Sequence, residues 1–355
     1  MYPYSKLQDF CSAVFQSIGC SEEDAKLAAE VLVEADLRGV DSHGVARLSG
    51  YVRLWENGRI NPTPNIKVVH ETPSTVVIDG DAGLGLVIGP KVMDILQEKA
   101  EAVGTAWASV KNSNHFGIAG YHAMRVLPQD MIGIAMTNAS PLVAPTHSKE
   151  RMLGTNPIAM AIPAGKQPAF VADFATTAVA NGKIEILKRQ KQQAPDGWIQ
   201  DADGNIAHEP DTLKQGGALL PLGSAPHQGS HKGYCLGAMV DILSGVLSGA
   251  NFGPWVPPFV SFLPVSDHPV GEGLGHFFGA MRIDAFRSKE AFKQDMDIWI
   301  ERFRKATPVD EAQSILIPGD LERVTTKERK TNGIPLLNAV EKDLKKIADK
   351  FKLTF

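Results

Sequence analysis

STVVIDGDAGLGLVIGP, residues 74–90, is the stretch on which the fold turns. β-branched residues run up to Asp79, as in a strand, and an apolar stretch suited to a helix over 88–102 follows the glycines. A Rossmann unit would place G-x-G-x-x-G at such a turn, so that backbone N–H groups at a helix start can meet a pyrophosphate. Here Gly80, Gly83 and Gly85 have the wrong spacing, as do the glycines of GEGLGH, 271–276. The chain also lacks G-x-x-x-x-G-K-[ST], G-x-S-x-G and H-E-x-x-H. The usual phosphate, nucleophile and zinc signatures are therefore excluded.

Working outward, short β-branched runs fill the middle of the chain: IKVVH, STVVIDG, AWASV, IGIAMTN, PIAMAIP and AFVADF. A second helical segment is expected over 119–127, and Asp203-Gly204 in WIQDADGNIA, 198–207, predicts a hairpin. Toward the N-terminus, Ser21 caps an acidic first turn before the apolar series Ala25, Ala28, Val31, Leu32 and Ala35. Toward the C-terminus, Phe292, Met296, Trp299, Ile300 and Phe303 share one helical face, and Val340, Leu344, Ile347 and Phe351 share another after Pro335. Helices thus flank an α/β centre. The expected architecture is a helical domain made from both ends, residues 1–70 plus 288–355, with an α/β domain, residues 71–287, inserted. The strands are too irregularly spaced for a barrel of eight βα units.

The 355 residues carry a net charge of −4, which argues against nucleic acid or an anionic membrane as partner. Three cysteines, none in a C-x-x-C pair, favour a reducing compartment, and no signal peptide is read at the N-terminus, so a cytoplasmic location is expected. The most apolar stretch, residues 233–262, is interrupted by Asp241 and by Pro254, Pro257 and Pro258, and reads as a buried core helix followed by a loop.

Chemistry gathers in five places. VDSHGVARLSGY, residues 40–51, reads as the opening of a helix capped by Asp41 and Ser42. On that helix His43, Arg47 and Tyr51, at i, i+4 and i+8, share a stripe beside the apolar Val45, Leu48, Val52 and Trp55. SNHFGIAGYH places His115 at a strand-to-helix junction, where it either faces a cleft or caps its helix. GTNP, 154–157, with Thr155 and Asn156, is a polar loop or a plain turn. VADFATTAVANGK runs from a strand through Asp173, Ala175, Thr176 and Thr177 toward a helix, and GSHKGYC sets Lys232 before an apolar helix. Arg47 offers a planar, permanently charged fork for a carboxylate, and a histidine can hand a proton to a carbonyl oxygen and take it back. Together they point to 2-oxo acid chemistry. A Ser/His/Asp hydrolase built on Asp41, Ser42 and His43 is disfavoured by their adjacency, and a nucleotide-binding protein without catalysis stays open.

ADLRGVDSHGVARLSGY, SNHFGIAGY, MLGTNPIAMAIP, DFATT and HKGYCLGAMVDILSG, in this order, resemble the type-2 malate/L-lactate dehydrogenase family across nearly the whole chain. That family also includes ureidoglycolate and sulfolactate dehydrogenases, diketogulonate reductase and cyclic imino-acid reductases. The resemblance implies a non-Rossmann NAD(P)-binding α/β domain inserted in a helical domain, NAD or NADP as cofactor, and a homodimer with a shared site. Its implied reaction interconverts a 2-hydroxy and a 2-oxo acid, malate or L-lactate before the other family substrates. By position it implies His43, His115 and Ser42 as catalytic residues, and Arg47, Tyr51, Thr155 and Asn156 on the substrate. It implies Asn138, Asp173, Ala175, Thr176, Thr177, Lys232, Pro318 and Gly319 on the cofactor, and no metal. His43 is expected as the acid/base, with Ser42 fixing its tautomer and His115 polarising the substrate. Ser230 and Cys235 stand where members often carry glycine.

Overall fold

Ser21 starts a helix as its side chain allows. Its Oγ accepts the Asp24 N–H at 3.1 Å, and Glu22, Glu23 and Asp24 fill the first turn, where the helix dipole favours negative charge. The computed structural model describes residues 1–355, the side chain of Arg189 excepted. Helices α1 (Tyr4–Ser17), α2 (Glu22–Leu37) and α3 (Leu48–Glu56) precede the first strand. Leu7, Val14, Leu32 and Leu54 share a buried core with Leu344 and Ile347, which come from the other end of the chain. Each such side chain stabilises by about 1.5–3 kcal/mol on leaving water, so the apolar faces of the first three helices meet that of the last one there.

The six expected strands form as β1 (Lys67–Glu71), β2 (Thr75–Asp79), β3 (Thr105–Ser113), β4 (Met131–Thr137), β5 (Ile158–Ile162) and β6 (Phe170–Phe174). Between them lie α4 (Gly85–Val103) and α5 (Ala119–Met124). The glycines of the opening turn serve packing. A Cβ on Gly85 would lie 2.1 Å from the Asn114 carbonyl oxygen, so α4 starts against the strand that leads to His115. After β6 come α6 (Asn181–Gln190) and a small sheet of β7 (Ile199–Gln200), β8 (Ile206–Ala207) and β9 (Ala218–Leu219), the first two forming the expected hairpin.

Helix α7 (Ser230–Asp241) continues into a π-helical turn, Ile242–Val246. The expectation of a buried helix here fails. Met239, Ile242, Val246 and Leu247 are 57%, 54%, 49% and 56% exposed, so the apolar face finds no cover within its own chain. A strand absent from the expectation follows, β10 (Leu274–Arg282), and it takes the middle of the large sheet, in the order β1-β2-β3-β10-β4-β5-β6. It runs antiparallel to β3 and β4, with Phe278 opposite Ala108 on one side and Ala135 on the other. Only β2 and β3 pair in parallel, which makes the sheet mixed.

The last helices are α8 (Lys289–Arg304), α9 (Asp320–Asn332) and α10 (Asn338–Phe351). α10 closes the helical core. α8 packs at the β6 edge, where Trp299 meets Phe170 edge-on at 6.0 Å and Asp297 accepts the N–H groups of Gly165, Lys166 and Gln167. Among the described residues no helix is long and apolar enough to cross a membrane.

Candidate active site

The segment between α2 and α3 departs from a single helix. Residues 41–44 form a turn, Val45–Arg47 a 3-10 turn, and the α-helix starts only at Leu48. Gly44 is extended, with φ −89° and ψ −146°, which breaks the stripe expected from His43 to Tyr51. Nor do Asp41 and Ser42 cap the helix. Asp36 Oδ2 accepts the Val45 N–H at 2.7 Å, while Asp41 pairs with Arg329. The break turns His43 away from the helix axis and frees Ser42, whose hydroxyl lies 2.9 Å from His43 Nδ1.

Tyr51 is fully buried, so it lies beneath the cleft rather than on its wall. Its hydroxyl is 2.6 Å from His115 Nδ1, which also accepts the Gly117 N–H at 3.3 Å. A backbone N–H can only donate, so the lone pair of His115 sits on Nδ1 and the proton of the neutral ring on Nε2. The two imidazoles lie nearly parallel, with ring centres 5.7 Å apart and planes 20° from each other. Burial, then the Arg47 charge, pushes His43 down to about 3. Burial also holds His115 well below the usual histidine range, with the neighbouring His43 and Arg47 adding to it. Both rings are therefore neutral bases or donors over ordinary pH.

Arg47 is placed by its own turn: Nε donates to the Ser42 carbonyl at 2.5 Å, and Nη1 lies 3.7 Å from Glu185 of α6. Its side chain keeps 16% exposure and borders two cavities. One, of about 510 Å³, is lined by Arg47, Arg53, Glu185, Lys188, Lys214 and Phe259. The other, of about 250 Å³, adjoins Asp36, Asp41 and Ser42. Phe259 comes from the proline-rich stretch after α7. Its ring centre lies 4.7 Å from His115 and 5.2 Å from Tyr51. A Cβ on Gly50 would fall 2.4 Å from that ring, so α3 carries glycine where the aromatic lid crosses it. Arg53 donates to the Phe259 carbonyl, Arg59 to that of Pro258 at 2.8 Å, and Ser140 Oγ accepts the Phe259 N–H at 2.9 Å. Sequence reasoning missed Phe259, Arg53 and Glu185. Only the aromatic and proline density of 251–264 hinted at the first.

The expected cofactor residues divide. Asp173 is exposed at the end of β6, with Oδ2 accepting the Gly120 N–H at 2.7 Å. The Pro318 carbonyl accepts the Val171 N–H at 3.0 Å, which sets Pro318 and Gly319 beside the same strand. Lys232 is exposed on the first turn of α7 and forms no ion pair among the described residues. The Leu222 N–H donates to the Thr176 carbonyl at 3.0 Å, and a Cβ on Gly233 would meet Leu222 backbone at 2.3 Å, so α7 starts close beside the half-buried Ala175 and its neighbours.

Other expected contacts are turned inward. The Thr176 hydroxyl donates to the Asn156 carbonyl at 3.0 Å and that of Thr177 to Val179 at 2.8 Å, with both side chains buried. Asn156 is fully buried as a strut, accepting the Ala139 N–H and donating to the Gly237 carbonyl, while Thr155 is half-buried beside it. Asn138, 1% exposed, accepts the Gly275 N–H and donates to the Asn251 carbonyl. These three side chains and that of Asn138 are bonded to the chain's own loops. The hydrolase alternative also loses its third member, since Asp41 is held by Arg329 and not by His43.

The outward set fits a dinucleotide: an unpaired cation suits a diphosphate, and an exposed carboxylate suits sugar hydroxyls. A family model described as malate/L-lactate dehydrogenase matches residues 2–345. Malate dehydrogenase of Pyrococcus horikoshii is 42% identical over 98% of this chain and 94% of its own. L-sulfolactate dehydrogenase of Methanocaldococcus jannaschii is 39% identical over 96% of this chain and 94% of its own. The crystal structure of malate dehydrogenase from Entamoeba histolytica superposes with a TM-score of 0.91 at 32% identity, covering 99% of this chain and 98% of that one.

Proposed function

Because the chain belongs to the malate/L-lactate dehydrogenase family, an oxidoreductase family acting on hydroxy acids, we propose that it interconverts malate and its 2-oxo acid with NAD or NADP. The observation that carries this reading is the paired imidazoles, each held at Nδ1 by a hydroxyl, beside an arginine that borders an open cavity. Arg47 takes the substrate's 1-carboxylate. The same cavity is lined by Arg53, Lys188 and Lys214 as well as by Glu185 and Asp343, and this net positive lining supports a second acidic group on the substrate and so malate over lactate.

When bound, a nicotinamide would supply the hydride chemistry. The chain's own residues handle the proton. The Ser42 hydroxyl, 2.9 Å from His43 Nδ1, is read as the acceptor of an Nδ1–H, which leaves Nε2 as the base that takes the hydroxyl proton during oxidation. His115 presents Nε2–H to the same oxygen and polarises it. In the reducing direction His43 must first gain a proton. Burial holds His43 low first and the Arg47 charge second; an anionic substrate on Arg47 offsets the second and so favours the imidazolium. Asp173 at the end of β6 and Lys232 on the first turn of α7, both exposed, are read as the cofactor contacts, with Pro318 and Gly319 beside β6.

The division into a terminal helical unit and an inserted α/β unit is part of the same reading, with α8 counted on the sheet side. A second copy of the chain is read as the cover for α7. Free Cys11, Cys20 and Cys235 support a reducing, cytoplasmic setting. Initial rates with malate, lactate, sulfolactate and ureidoglycolate, each with both cofactors, test the proposal. Malate is expected to give the highest kcat/KM. Equal values for malate and lactate would remove Arg53 from the substrate.

A further inference from the structure

Asp36, in the last turn of α2, is 2% exposed, and the reaction above makes no use of it. Its Oδ2 holds the Val45 N–H at 2.7 Å, the first donor of the turn that carries Arg47. Its contact with Gly44 is tighter still. A Cβ on Gly44 would fall 2.1 Å from Cγ and Oδ2 and 2.2 Å from Oδ1, so the carboxyl lies face-on in the space a side chain would need. On one side of Gly44 is His43, whose N–H donates to the Val40 carbonyl at 2.9 Å; on the other, the Arg47 N–H donates to the Gly44 carbonyl at 2.8 Å. The carboxyl therefore fills the inside of the bend that separates the two residues assigned to proton and carboxylate.

We propose that Asp36 is the positioning residue of this site: wedged against Gly44 and bonded to Val45, it sets the spacing at which His43 and Arg47 meet one substrate. The inference rests on the functional reading of those two residues. The groups facing Asp36 are the Cys11 thiol from α1, Asp41 from the turn, and Arg329 from α9, which donates to the Asp36 carbonyl and pairs with Asp41. Burial pushes the Asp36 carboxyl up to about 8. The Val45 N–H and Arg329 oppose the shift, and Asp41 adds to it. Burial thus favours the neutral form of the wedge, of which asparagine is the isostere.

The test compares Asp36→Ala, Asp36→Asn, Gly44→Ala, the double variant Asp36→Ala/Gly44→Ala and His43→Asn, with rates normalised to molecules that bind NADH. Asp36→Ala is expected to lower kcat about 10²-fold and raise the KM of the oxo acid, the scale of a misplaced catalytic group. Asp36→Asn keeps shape and N–H bond and is expected within about threefold of wild type. Gly44→Ala meets the carboxyl and loses activity, but the same methyl in the Asp36→Ala background enters vacated space, so the double variant outperforms the product of the two losses. If Asp36→Ala does not fold, Gly44→Ala and Asp36→Asn still decide. Wild-type kinetics in Gly44→Ala, or an Asp36→Asn loss as large as that of His43→Asn, overturns the wedge. Wild-type kinetics in Asp36→Ala, or strictly additive losses, overturns it too. Full activity in His43→Asn instead overturns the functional reading, and this inference with it.

Discussion

Ser42 and Tyr51 do the same work for two different rings. Each sets a hydroxyl on an Nδ1 atom, and each thereby decides what the opposite nitrogen presents to a substrate. The difference lies in the second partner. His115 has a backbone N–H as well, which makes its Nε2 a donor, whereas the Ser42 hydroxyl can accept and leave His43 a base. The titration follows from burial. His43 binds no proton in the fold until about pH 3, while the unfolded chain binds one below 6.5, so between these values the unfolded state holds the extra proton. Its contribution to stability is present above pH 6.5 and is lost as pH falls through that window. In His43→Asn the acid-side loss of Tm should shrink. The same variant should lower kcat by about 10² to 10⁴, the scale of a lost general acid, and abolish the fall of log kcat/KM for reduction with rising pH. His115→Asn should lower the rate yet keep that slope. A slope that survives in His43→Asn and vanishes in His115→Asn exchanges the two roles.

At the scale of elements, the proposed function draws twice on α7 and the chain that follows it. Its first turn carries Lys232, and the segment after its π-helical turn carries Phe259 to His115. Asp241, at the end of α7, accepts the Gly253 N–H at 2.7 Å, and Asn251 Oδ1 accepts the N–H groups of Val270 and Gly271. Hydrogen bonding therefore ties the end of α7 to the loop that leads toward Phe259. Lys232→Ala should weaken NADH binding about fivefold in a fluorescence titration, the scale of one partly exposed charge contact of about 1 kcal/mol. Its kcat at saturating cofactor should hold. Unchanged affinity would make Lys232 an ordinary surface lysine.

At the scale of the molecule, the exposed face of α7 is the feature that a single chain leaves unexplained. Tyr234, Met239, Ile242, Val246 and Leu247 lie on one helix and its continuation, all more than a third exposed, next to the proposed cofactor residues. A grouped apolar patch of this kind costs solubility unless another surface covers it. Under the two-fold reading, covering it also orders the Lys232 turn. Met239→Glu should shift sedimentation from dimer to monomer and weaken NADH binding along with it. A wild-type chain that sediments as a fully active monomer would end the shared-site reading.

The helical ends, six strands, the 198–207 hairpin and the residues His43, Arg47 and His115 were legible in sequence because their signals are short-range: periodicity, a serine cap, an Asp-Gly turn, a run of motifs in order. Tertiary structure decided the rest. β10 occupies the centre of the sheet between strands more than a hundred residues away, and its Gly-containing run LGHFFGAMR has no local pattern that names those partners. The stripe on 43–51 broke because a carboxyl eight residues upstream fills the space at Gly44, a steric fact that no helical period contains. Tyr51, Asn138 and Asn156 turned inward because each found buried donors or acceptors on distant segments, and an unmade buried hydrogen bond costs more than an exposed one gains. An apolar helix predicts burial but not the chain that provides it, which is why α7 was read as core and stands at the surface.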